Sequence, residues 1–230
     1  MGRVLDRSLP RFRSFAARHG YDVIVGSGAS ADRPAPWGKI LLLQNLLKHY
    51  DTVLWVDADV LIVDESEDLP PLPADRFQAL VEQRASGAVA NTGVWLLRAG
   101  PDADAFLEQV WQAPSGVSHR WWEQASVMSL LGYVDMPDAP GDPSVSRHAE
   151  RTPWYDGTHF LGSEWNGLYA PYLRDHEAPR FWHFAAMDNW ERVVSMEIEA
   201  RRGAGGAAAA TRVALEAGRG LRRLRKRLTA

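Results

Sequence analysis

The sequence predicts an α/β fold in three layers, and three observations carry the prediction. Strand-like and helix-like segments alternate along 230 residues. One apolar run, Tyr50 to Asp64, reads as a buried strand interrupted by two carboxylates. The composition, 46% hydrophobic and 24% charged, suffices for one proper core and one globular unit.

The elements follow in order. Residues 10–19, PRFRSFAARH, read as a short helix closed by Gly20, and YDVIVG (21–26) as a strand entering a Gly/Ser/Ala turn. In PAPWGKILLLQNLLKHY (34–50), Ile40, Leu43, Leu47 and Tyr50 fall on one helix face, so a helix leads straight into the strand YDTVLWVDADVLIVD (50–64). FQALVE (77–82) and NTGVWLLR (91–98) read as further strands, followed by helical stretches around 102–112 and 121–131. MPDAPGDPSVSRHAERT (136–152) is rich in Pro, Gly, Ser and charge and reads as a surface loop, either a flap facing an acceptor or a plain excursion.

The chain has no cysteine, which excludes disulfides and thiolate metal sites, so any metal must sit on carboxylate or imidazole. The N-terminus lacks a signal-peptide core, and no run reaches the ~18 apolar residues of a membrane span, so a cytoplasmic location is expected. Net charge is −3, but residues 201–230 hold nine Lys/Arg and one acid. Within them GAGGAAAAT is a joint by composition, and residues 212–228 read either as a basic amphipathic helix contacting the inner membrane face or as a solvated tail. Two regions result, a domain over 1–200 and a linker with a basic tail over 201–230. No nucleic-acid partner is expected.

The two carboxylates carry the functional argument. Along a strand, residues i and i+2 share a face, so Asp57 and Asp59 can aim at one partner. Desolvating such charges without compensation costs several kcal/mol. A hard divalent ion suits them, and Mg²⁺ characteristically takes one or two protein carboxylates and completes its shell with water and phosphate oxygens; Mn²⁺ fits as well. The alternative is that both cap backbone N–H groups at a turn. Their position between VLWV and VLIVD, inside an apolar run, favours the ion.

Four segments in order, residues 37–64, NTGVWLLR, WWEQASVMSLL (121–131) and PRFWHFAAMDNW (179–190), resemble nucleotide-sugar glycosyltransferases of the GT-A fold. The nearest likeness is to glycosyltransferase family thirty-four, the galactosyl-, mannosyl- and xyloglucan xylosyltransferases, over roughly residues 10–192. The resemblance implies a Rossmann-like α/β/α sandwich and transfer of a hexose or pentose from a UDP-sugar, or less favourably a GDP-sugar, to a glycan, lipid or small-molecule acceptor, with retention of configuration. It implies that Asp57, Asp59 and His183 hold Mn²⁺ or Mg²⁺. Without it, His183 would read as a hydrogen-bonded histidine among aromatics.

It further implies catalytic roles near the reacting sugar for Glu123 and Gln124, and substrate contacts for Lys39 near the diphosphate, for Asn91 and Gly93 near the sugar, and for Trp122. Each has a plain alternative, a solvated helix residue or a strand end. The departures are three: the family's first strand, which binds the nucleobase, has no counterpart; Ala186 stands where the family has Gly; and Asp188 adds negative charge where a Lys commonly reaches the phosphates, with Arg192 as a candidate to compensate. The missing strand fits a misplaced start, a base held differently or impaired donor binding, and the last of these fits a catalytically inactive nucleotide-sugar-binding protein. A haloacid-dehalogenase-type phosphatase fits poorly, because Leu61 stands where it has Thr or Val, and a sugar nucleotidyltransferase would need a Gly-rich basic loop that is absent.

Overall fold

The computed structural model describes residues 2–26, 32–84, 87–113, 115–170, 173–174 and 179–202. Helix α1 spans Gly2–His19, longer than the predicted 10–19. The extra turns have buried positions of their own: Val4 and Ser8 are buried, and the Ser8 hydroxyl donates to the Ala58 carbonyl at 2.8 Å. That packing outweighs the helical hydrogen bond that Pro10 lacks. Gly20, at φ +79, ends the helix as expected, with its N–H and that of Tyr21 both meeting the Ala16 carbonyl.

The predicted strand at 21–26 is not formed. These residues pair with no described strand, and Val23, Ile24 and Val25 are 41%, 48% and 53% exposed. Residue type favours a strand there, but a strand needs a partner to take its N–H and C=O groups. A turn of 3₁₀ helix, Ala35–Trp37, leads into α2, Gly38–Leu46, which buries Ile40 and Leu43; Tyr50 falls beyond it.

The run 50–64 departs most from expectation. It forms two strands, β1 (Thr52–Val56) and β2 (Val60–Ile62), in different sheets, and Asp57 to Asp59 make the turn between them. The two carboxylates therefore do not share a strand face. The turn is fixed by the Val60 N–H on the Asp57 carbonyl (3.0 Å) and the Asp57 N–H on the Gly93 carbonyl (2.8 Å).

Next come β3 (Gln78–Gln83), β4 (Val89–Arg98), α3 (Pro101–Gln112), α4 (Ser115–Ser118) and α5 (Glu123–Leu130), close to the predicted stretches. The remainder is β5 (Tyr133–Val134), β6 (Arg147–His148), α6 (Pro153–Asp156), β7 (Thr158–Leu161), β8 (Gly167–Ala170), β9 (Leu173–Arg174), β10 (Phe181–His183) and α7 (Asn189–Arg202). The loop 136–152 is irregular apart from β6, which pairs with β5.

One sheet has the order β1-β4-β3-β7 and the other β2-β10-β8-β9; within them only β3–β7 and β8–β10 are parallel, so both sheets are mixed. Alternation along the strands separates the cores. Leu80, Trp95 and Leu97 pack with Ile40, Phe106 and Met128 from α2, α3 and α5. Ala79, Val81, Val94 and Leu96 face Phe15, Ile62 and Phe181, between the sheets. Leu61 and Trp182, on the opposite side of the second sheet, meet Val4 and Met196 from α1 and α7. Each fully buried side chain of this kind contributes about 2 kcal/mol.

The expected boundary at residue 200 falls inside α7, which runs to Arg202; the joint and the basic segment 212–228 lie outside the described residues. No described helix is long and apolar enough to cross a membrane.

Candidate functional site

Asp57, Asp59 and His183 converge, with one ligand atom from each lying within 4.8 Å of the others. β1 ends just before Asp57, the turn brings Asp59 round, and β10 pairs antiparallel with β2 so that His183 lies opposite Val60. His183 Nε2 is 3.5 Å from Asp59 Oδ1. Two ligands about 2.1 Å from an octahedral ion, at right angles, lie about 3 Å apart, so the spacing suits a small divalent cation with little movement.

The imidazole lies against the backbone of β4. A Cβ on Gly93 would come 2.2 Å from His183 Cε1 and 2.6 Å from Nδ1, so glycine is required there by the ring. The sequence reading gives that close approach to a sugar; the structure gives it to His183. Asn91 is buried as well, and its amide is engaged by protein groups: Nδ2 donates to Gln83 Oε1 (3.0 Å), while Oδ1 accepts from Asn166 Nδ2 (2.9 Å) and from the Gly93 N–H (2.8 Å). Both residues shape the imidazole's seat.

A second cluster adjoins the first. The Lys39 ammonium, in a side chain only 5% exposed, lies 3.1 Å from Asp57 Oδ1 and 2.8 Å from Glu123 Oε1. Sequence reasoning directs Lys39 to a diphosphate, whereas the fold places it between two carboxylates. Burial opposes its charge, but Asp57 and Glu123 outweigh burial and hold Lys39 above its ordinary value. Burial pushes Glu123 up, and Lys39 does not undo this because it is shared with Asp57. Glu123 Oε2 is buried with no hydrogen-bond partner, leaving an acceptor free for a ligand.

The neighbours complete the surroundings. Trp55 Nε1 donates to Asp57 Oδ1 at 2.7 Å. Gln124 Oε1 accepts from the Thr92 N–H at 3.2 Å, bracing β4 beside Gly93. Trp122, at the N-terminus of α5, has φ +49 and is 43% exposed, an unusual backbone for so large a residue. Burial pushes Asp59 up, but the imidazolium form of His183 and the Arg192 guanidinium outweigh it and hold the carboxyl well below its usual range.

Arg192 Nε is 3.3 Å from Asp59 Oδ2 and also donates to the Phe184 carbonyl at 2.9 Å, while another nitrogen reaches the Met187 carbonyl at 3.0 Å. It ties the loop after β10 to the site. In that loop Ala186 has φ +56, the conformation in which glycine is at ease. Sequence reasoning missed Gln83 and Asn166 altogether. The one signal for Asn166 is an amide set between Trp165 and Gly167.

Two carboxylates and an imidazole gathered where a strand leaves an α/β sheet have the construction of a divalent-cation site. The scaffold itself is shared with a solved glycosyltransferase involved in the glycosylation of the major capsid of PBCV-1: TM-score 0.59, 17% identity, 85% of this chain and 92% of that one. The fold is the GT-A-like arrangement expected from the sequence. The apo structure of the WbbM bifunctional glycosyltransferase overlaps at a TM-score of 0.44 and 12% identity, over 74% of this chain and 37% of that one. In sequence, an alignment 65 positions long is 34% identical to a Schizosaccharomyces pombe protein named as an uncharacterized alpha-1,2-galactosyltransferase; it covers 25% of this chain and 17% of that protein. No family profile matches the chain.

Proposed function

We propose that this protein is a metal-dependent glycosyltransferase, moving a hexose or pentose from a nucleoside-diphosphate sugar, UDP-linked in preference to GDP-linked, to a carbohydrate, lipid or small-molecule acceptor. The observation that carries the reading is the convergence of Asp57, Asp59 and His183 on a scaffold shared with a glycosyltransferase. The galactosyltransferase name of the matched yeast protein supports a hexose as the transferred group. Asp57, Asp59 and His183 would hold Mn²⁺ or Mg²⁺, which when bound offsets the negative charge that gathers on a departing diphosphate.

The chain's own groups do the rest. Lys39 keeps Asp57 and Glu123 in place, and the unpartnered Glu123 oxygen can accept a sugar hydroxyl or oppose positive charge at the anomeric carbon. The exposed indole of Trp122 offers an apolar face to a pyranose. Retention by front-face substitution fits a site in which Glu123, the carboxylate beside the ion cluster, is already tied to Lys39.

The test is release of nucleotide from UDP- and GDP-sugars with Mn²⁺. Turnover should vanish with chelator and fall at least about 100-fold in Asp57→Asn, since losing a ligand should cost more than the roughly 10- to 100-fold that loss of a ligand's hydrogen-bonding partner costs. Turnover that survives both would remove the metal from the reading. Nucleotide binding with no turnover would favour an inactive nucleotide-sugar-binding protein.

A further inference from the structure

We infer that the backbone N–H of Gly93, acting through Asn91 and Asn166, decides which nitrogen of His183 carries its proton, with Asn166 as the positioning residue that touches the ring. The inference rests on the cation reading above and deepens it. It begins from a group whose polarity cannot change. The Gly93 N–H only donates, so the Asn91 atom 2.8 Å away is its oxygen. That oxygen only accepts, so the Asn166 atom 2.9 Å from it is the amide nitrogen. Asn166 therefore turns its oxygen to His183 Nδ1 at 3.0 Å, and the ring must donate there.

The other arm of the circuit gives the same answer independently. The Asn166 backbone carbonyl only accepts, so the Gln83 atom 2.8 Å from it is the nitrogen, and the Gln83 oxygen accepts from Asn91 Nδ2 at 3.0 Å. Reversing any one amide would set two donors or two acceptors face to face. Gln83, Asn91, Asn166 and His183 are all buried, at 5% residue exposure or less, so water cannot repair such a mismatch.

For the neutral ring, the proton on Nδ1 leaves a lone pair on Nε2, which faces Asp59 Oδ1 at 3.5 Å. Two acceptors so placed attract a cation between them. The opposite tautomer would set an N–H against Asp59, satisfying both groups and closing the position to a metal. The circuit thus withholds from His183 the hydrogen bond that would compete with an ion.

The experiment uses the full chain, without metal and at mildly alkaline pH. Imidazole ¹⁵N shifts of His183, assigned by their loss in His183→Gln, report the tautomer, and the electron paramagnetic resonance of free Mn²⁺ reports affinity. Wild type should show the proton on Nδ1. Asn166→Leu, which keeps the volume and removes the acceptor, should shift the ring toward the Nε2–H form and weaken Mn²⁺ binding about 10- to 100-fold. An Nε2–H ring in wild type overturns the inference without recourse to any variant at position 166. An unchanged tautomer in Asn166→Leu overturns it too, and a changed tautomer with unchanged Mn²⁺ affinity overturns its link to the ion. A wild type with the proton on Nδ1 that binds no Mn²⁺ supports the relay and overturns the cation reading instead.

Discussion

Gly93→Ala isolates the contact between β4 and the imidazole. The added methyl would lie 2.2 Å from His183 Cε1, against the 3.4 Å at which ordinary contact begins, so the ring must retreat by more than 1 Å. His183 is buried and hydrogen-bonded to Asn166, and it has nowhere to retreat without losing that bond. The nearest other neighbour, Asn91 Oδ1 at 3.0 Å, need give only a few tenths of an ångström. Gly93 does not adopt a left-handed backbone, so the substitution carries no conformational penalty of its own. Overpacking of this kind costs about 1–3 kcal/mol, and displacing a ligand should weaken Mn²⁺ binding at least about 10-fold. Urea unfolding of wild type, Gly93→Ala, His183→Ala and the double variant forms a cycle. With the ring gone, the methyl fits, and Gly93→Ala should then cost almost nothing. An equal cost in both backgrounds would refute the reasoning.

Two further outcomes are expected. Lys39→Met strands the buried Glu123 carboxylate and takes one partner from the half-buried Asp57, and should destabilise by about 3 kcal/mol in urea unfolding, with most of the loss recovered by adding Glu123→Gln; a loss under about 1 kcal/mol would mean that solvent compensates Glu123. Ala186→Gly relieves the left-handed backbone and should raise the unfolding free energy by about 0.5–1 kcal/mol, whereas a fall would show that the methyl is packed.

The sequence exposed the metal-ligand candidates because charge inside an apolar run is conspicuous, and His183 stands out within FWHF for the same reason. It could not show that the run changes sheets at Ala58. Apolar positions continue with period 2 through Val56, Ala58 and Val60, so periodicity reads straight across the turn. Residues 21–26 mislead in the opposite sense, since their composition suits a strand and only the missing partner prevents one. Asn91 was visible but was aimed outward, toward a sugar. Its real neighbours, Gln83 and Asn166, come from β3 and from the turn before β8. Gln83 sits on the strand paired with that of Asn91, but Asn166 lies 75 residues further on, and no local spacing links it to them.

The seam between the two sheets passes through this cluster. Asp57 follows β1, whereas Asp59 immediately precedes β2 and His183 belongs to β10, so an ion gripped by all three would rivet one sheet to the other. Occupancy would then be felt as mechanical cohesion, with β2 and β10 exchanging their amide hydrogens more slowly as the ion is added.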